Sequence, residues 1–234
     1  MFSTSRWFAV DSHWQNLRNL FSPSLTRFFI SWFGLVPVVL KIADVLPERI
    51  EILSDPRVEF VLALPFSWKA LWIASLLYAV AFIIYTFFCP KFIKMYGSYE
   101  EYASRGNSPR WLVWEFFYAW NSITEPQKEI LWKRCSEKSF VIEVSNEAAL
   151  SNKPEVVHSG TNYIFEWKSK KYQISVNESL CATKEKDLFW EIFGRWAGAS
   201  RRLRHVAWIL YYASILIAAG VVIQNVFFAA SHLF

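Results

Sequence analysis

The residues of this sequence that could do chemistry are few and scattered. Three cysteines, Cys89, Cys135 and Cys181, stand far apart with no C-x-x-C pair, so neither a disulfide framework nor a zinc site is indicated. They fit a reducing compartment. The four histidines, His13, His158, His205 and His232, are equally dispersed, which argues against a shared metal site. There is no G-x-S-x-G elbow, P-loop, G-x-G-x-x-G or H-E-x-x-H, and no H-x-E with a cysteine couple. The chain therefore reads as a non-enzyme that holds no metal and no cofactor.

What remains are ionisable groups in apolar settings. Glu115 is the one acid in the run Trp111 to Trp120, where burial would raise its pKa and make it a protonation switch. The plainer reading has the helix packing under a sheet while Glu115 reaches Arg110 or water. Lys41 and Asp44 share one helical face and could form an intramembrane charge pair. The plainer reading, and the preferred one, places both near the outer interface with Lys41 snorkelling outward. Arg195, Arg201, Arg202 and Arg204 form a juxtamembrane basic cluster suited to lipid phosphates or a nucleic-acid backbone, although orienting a following span is role enough. Beyond it, Ser214, Ala218 and Asn225 fall on one helical face. Small residues let helices approach and an amide in lipid seeks a partner, so this is an oligomer seam, unless packing within the chain uses it up.

The elements that must carry these residues follow from the distribution of apolar sequence. No charge falls between Ala70 and Phe88 or between Val206 and Phe234, and a bilayer needs roughly 20 apolar residues. Residues 70–88 and 206–230 are thus expected as transmembrane helices. Residues 28–46, with Pro37, Lys41 and Asp44, give a third, so two to three spans are expected. Residues 47–69 then form an external loop with an apolar patch from Phe60 to Phe66. The 13 Trp, 10 Tyr and 21 Phe are unusually many, and several of them, Trp68, Trp72, Trp208, Tyr211 and Tyr212, flank the expected spans, as amphipathic rings do at headgroups. In residues 1–22, Trp7, Val10, Trp14, Leu17 and Phe21 recur at steps of three and four, which gives an amphipathic helix. It is expected at the membrane interface, with Trp7, Trp14, Phe21, Trp111, Trp114 and Trp208 as interfacial anchors. Packing on the polar domain would give the same pattern.

Lys and Arg flank the spans on one side, which sets the N-terminus and residues 89–205 inside and the C-terminus outside. No signal-peptide cleavage pattern is present. Residues 89–205 are expected as an α+β domain with a small antiparallel sheet. Helices cover Pro109 to Ile123 and Glu125 to Glu137, the second capped by Thr124. Strands follow at Phe140 to Val144 and in a hairpin of Tyr163, Phe165, Trp167 and Tyr172, Ile174, Val176. Ser145 to Ser159 reads as a long loop, and a helix from Lys184 runs almost unbroken into the last span.

This layout, together with the segment Pro90 to Tyr96 that follows the second span, resembles the small inner-membrane effectors of bacterial anti-phage systems, including those that accompany retrons. The resemblance implies a bacterial inner-membrane protein in contact with the lipid bilayer. It also implies a cytosolic regulatory partner, which for a retron would be a ribonucleoprotein complex of reverse transcriptase with its DNA product. The expected function is regulated permeabilisation or depolarisation of the membrane, with a homo-oligomer as its vehicle. A membrane-anchored adaptor or sensor is the main alternative. A channel or transporter subunit would depend on Lys41, Asp44, Gln224 and Asn225.

Overall fold

The computed structural model describes residues 13–43, 49–51, 59–61, 67–158 and 160–233. In chain order the helices are α1 (Trp14–Leu20), α2 (Pro23–Ala43), α3 (Trp68–Phe88), α4 (Lys91–Met95), α5 (Tyr99–Ser104), α6 (Trp111–Ser122), α7 (Glu125–Glu137), α8 (Ala182–Ala197) and α9 (Arg201–Leu233). The strands are β1 (Arg49–Glu51), β2 (Glu59–Val61), β3 (Val141–Val144), β4 (Glu155–Val157), β5 (Gly160–Trp167) and β6 (Lys170–Asn177). Two units result. One takes in Asn16–Phe88 with Arg202–Phe234, and the other His13–Gln15 with Cys89–Arg201.

The first unit is mainly helical, its three long helices α2, α3 and α9 being built from largely apolar sequence. Ser22 opens α2: its carbonyl accepts from the Thr26 amide at 3.0 Å and its hydroxyl from the Leu25 amide at 3.4 Å. Pro23, at the first helical position, has no amide hydrogen to leave unpaired. The helix continues past Pro37 to Ala43. Among the described residues, two helical stretches are long and apolar enough to cross a membrane, Lys69–Phe88 and Arg201–Phe228. The 21-residue α2 is not one of them.

Several expectations change here. The stretch 47–69 contains the antiparallel pair β1 and β2, with Arg49 opposite Val61, where a loop was expected. Asp44 and Trp7 lie outside the described residues. The helix expected in residues 1–22 is described only as α1, whose Trp14 and Leu17 are fully buried and whose flanking Phe21 is nearly so. Its apolar face packs on protein and not on headgroups. The last span is not continuous with the preceding helix either: α8 ends at Ala197, and Ser200 adopts a left-handed φ of 50° before α9 starts.

In the second unit the sheet order is β3-β6-β5-β4, antiparallel throughout. The expected loop Ser145 to Ser159 is thus interrupted by β4. Tyr163, Phe165, Tyr172, Ile174 and Val176 alternate along β5 and β6 onto one buried face. Phe116 and Trp120 of α6 meet Phe165 with ring centroids at 5.4 and 4.5 Å. On α8, Leu188, Phe189, Ile192 and Phe193 are all buried. Phe92 and Ile93 of α4 are buried too, so the distinctive Pro90 to Tyr96 segment is core packing. Thr124 stands at the α7 N-cap position but makes no side-chain cap. Its carbonyl instead accepts from the amides of Gln127 and Lys128, each at 2.9 Å.

The β5–β6 turn consists of Lys168 and Ser169, both left-handed, with φ of 51° and 61°. Two such residues make the turn that suits the twist of a hairpin, and glycine adopts that geometry without strain. Ser169→Gly is therefore expected to stabilise the second unit by about 0.5–1 kcal/mol, read as a higher denaturation midpoint at unchanged slope.

Candidate functional site

In the first unit, the side chains that organise the long helices are aromatic. Tyr78 of α3 is fully buried, and its hydroxyl lies 2.8 Å from Thr26 Oγ1. The Phe29 ring stacks on it at 4.4 Å, Phe21 meets it edge-on at 5.5 Å, and Tyr211 of α9 lies 6.0 Å away. The Tyr211 hydroxyl donates to the Leu20 carbonyl at 3.4 Å. One aromatic centre thus joins α2, α3 and α9.

Away from that centre the helices part. A groove of about 330 Å³ opens between α2 and α9, with Phe28, Phe29 and Trp32 on one wall, Ala218, Val222 and Asn225 on the other, and Leu71 of α3 also lining it. The expected seam divides along this line. Ser214 is fully buried and donates to the Tyr211 carbonyl of its own helix at 2.7 Å, so its polar group is already spent. Ala218 is half-buried and Asn225 exposed, both on the groove wall. Only the second half of the seam is open to an assembly.

The other expected site residues disperse. Lys41 is exposed near the end of α2. Arg201 and Arg202 are exposed, Arg195 half-buried and Arg204 buried, so the basic cluster is not one solvated face. Trp208 is buried and stacks on Tyr212 at 4.9 Å, and the Trp14 indole donates to the Ala199 carbonyl at 2.9 Å. These two rings, expected at headgroups, are instead held by protein because each has an aromatic or carbonyl partner in reach. Trp111 remains exposed and Trp114 partly so.

The second unit carries a cleft of about 480 Å³ lined by Arg110, Trp111, Trp114, Tyr118, Val156 and Thr161. Trp111, Trp114 and Tyr118 recur at steps of three and four along α6, one helical face. At the rim, Arg110 pairs with Glu178 at 2.7 Å and not with Glu115. Glu115 is left on the α6–α8 side, where burial pushes its carboxyl up to about 7; the nearby Trp196 indole opposes that shift without meeting hydrogen-bond geometry. Burial likewise pushes the Cys135 thiol up, away from the reactive thiolate. Among the described residues no three His, Cys, Asp or Glu side chains are grouped to hold a metal.

The sequence singled out Trp111 and Trp114 only as membrane-interface anchors, and gave no sign that Tyr118, Val156 and Thr161 line a cleft with them. The available signal for β4 itself was Val156-Val157 followed by His158-Ser159-Gly160, a β-prone pair before a turn. Comparison with protein-family models, with curated proteins and with solved structures found no match to this chain.

Proposed function

We propose that the chain is a non-enzymatic membrane effector of bacterial anti-phage defence. Its first unit is set in the inner membrane, its second unit lies in the cytoplasm, and a cytosolic partner releases or triggers it to permeabilise or depolarise that membrane. The observation that carries this reading is the groove between α2 and α9. Helices that leave an apolar groove flanked by the exposed amide of Asn225 form an unfinished bundle, and regulated leakage requires an assembly with two arrangements, not an active site. The class of partner, a regulatory protein or a ribonucleoprotein of reverse transcriptase with its DNA product, follows from the resemblance in layout.

Inducing the chain alone in bacteria loaded with a voltage-sensitive dye should collapse the membrane potential, and co-expression with its genomic neighbours should restore it. An unchanged potential in both cases and under phage challenge overturns the effector reading. The membrane-anchored adaptor would then stand, a reading that the exposed cleft of the second unit favours in its own right.

A further inference from the structure

Val156 is the direct partner of Thr161 across the β4–β5 ladder, so both side chains lie on one face of the sheet. That face carries Tyr163 and Phe165 two and four residues on, and is therefore the core face. Thr161 is 1% exposed, yet Val156 is 63% exposed. The helical layer stops short of β4. Phe116 and Trp120 of α6 contact Phe165, and Phe117 contacts Tyr163, while Trp111, Trp114 and Tyr118 border the gap that remains. The last strand has a core face with no core over it.

β4 is also the end of the strand order, its three residues are all exposed, and among the described residues nothing pairs with its outer edge. Such an edge presents backbone donors and acceptors in the spacing of a missing strand. We propose that the free edge of β4 and the adjoining cleft together form a docking site for an extended peptide segment of a protein partner. The segment adds a fifth strand and places one bulky apolar side chain beneath Trp111, Trp114 and Tyr118. The proposal rests on the cytosolic partner named above but not on damage to the membrane.

The chemistry selects this occupant over others. A small apolar molecule or lipid tail would fill the cleft while leaving the strand edge unpaired. A second copy pairing through its own β4 would offer only Val156 or Val157, too small for a cleft of about 480 Å³. Arg110 is already neutralised by Glu178, so the cleft favours an uncharged aromatic or aliphatic side chain. Glu155, exposed and on the opposite face from Val156, favours Lys or Arg at the neighbouring position of the added strand.

The test uses the full chain in lipid nanodiscs, probed with a displayed random peptide library and then with the enriched peptide made synthetically. Enrichment of a bulky apolar residue beside a basic one is expected, with amide hydrogen-exchange protection at Val156 on binding. Val156→Glu should weaken the peptide at least about tenfold, and Ile142→Glu on the opposite edge strand should leave it unchanged. No enrichment, protection elsewhere, or undiminished binding by Val156→Glu overturns the proposal. So does protection of β4 that appears without peptide when two copies share a disc, which would assign the edge to self-association. None of these readouts involves membrane potential, so failure of the docking site and failure of the effector reading are distinguishable.

Discussion

Replacing Phe189 by alanine is expected to cost the second unit about 3–5 kcal/mol, the range for truncating a fully buried aromatic side chain. Phe189 is 0% exposed and has ring partners on every side: Phe92 at 5.2 Å, Tyr102 at 5.4 Å, Tyr99 at 5.8 Å, Trp190 at 5.2 Å and Phe193 at 5.5 Å. Those rings come from α4, α5 and α8, so truncation leaves a void that rigid neighbours cannot collapse to fill. Denaturant titration of the full chain in detergent, followed by near-ultraviolet dichroism, should show an earlier midpoint for the second unit. Leu150→Ala, at a half-exposed position, should change stability by no more than about 0.5 kcal/mol. If Phe189→Ala cost no more than Leu150→Ala, the aromatic cluster would not be the core that the contacts describe.

That cluster shows where the sequence was readable. Leu188, Phe189, Ile192 and Phe193 recur at the helical period, and the helices Trp111–Ser122 and Glu125–Glu137 and the β5–β6 hairpin follow their patterns within a residue or two. Periodicity reports which side of an element is apolar. It does not report what that side meets. The α1 pattern was correctly helical, but a stripe of Trp14, Leu17 and Phe21 is the same for headgroups and for protein, and the structure places it against protein. The expected seam is divided for a related reason: Ser214, Ala218 and Asn225 share a face on the helical wheel, yet Tyr211 draws α9 toward Phe21 and Tyr78 at one end only. β4 was missed because three residues are too short for a periodic signal and because its core-face residue has no core above it. The break at Gly198 to Ser200 was hidden by good helix formers on both sides.

Glu115→Gln should stabilise the second unit above neutral pH and leave it unchanged in acid. Burial is the main cause that raises the carboxyl from 4.5 to about 7, and among the described residues no salt bridge reaches Glu115, Arg110 being engaged with Glu178. A carboxyl whose folded pKa lies above its unfolded value binds its proton more tightly when folded, so the unfolded state loses protons first as pH rises. Stability is therefore highest below about pH 4.5, falls between 4.5 and 7, and is flat above 7, with up to about 3 kcal/mol lost across that window. Glutamine keeps the shape and removes the ionisation, so the variant's profile should meet the parent at pH 4.5 and lie above it at pH 8. Glu185, also raised by burial and accepting from the Tyr99 hydroxyl at 3.0 Å, contributes a slope of the same sign that survives in the variant. Unfolding measured at both pH values separates the two carboxyls. Equal stability of parent and variant at pH 8 would mean that Glu115, which is only partly exposed, is charged and solvated in the folded chain.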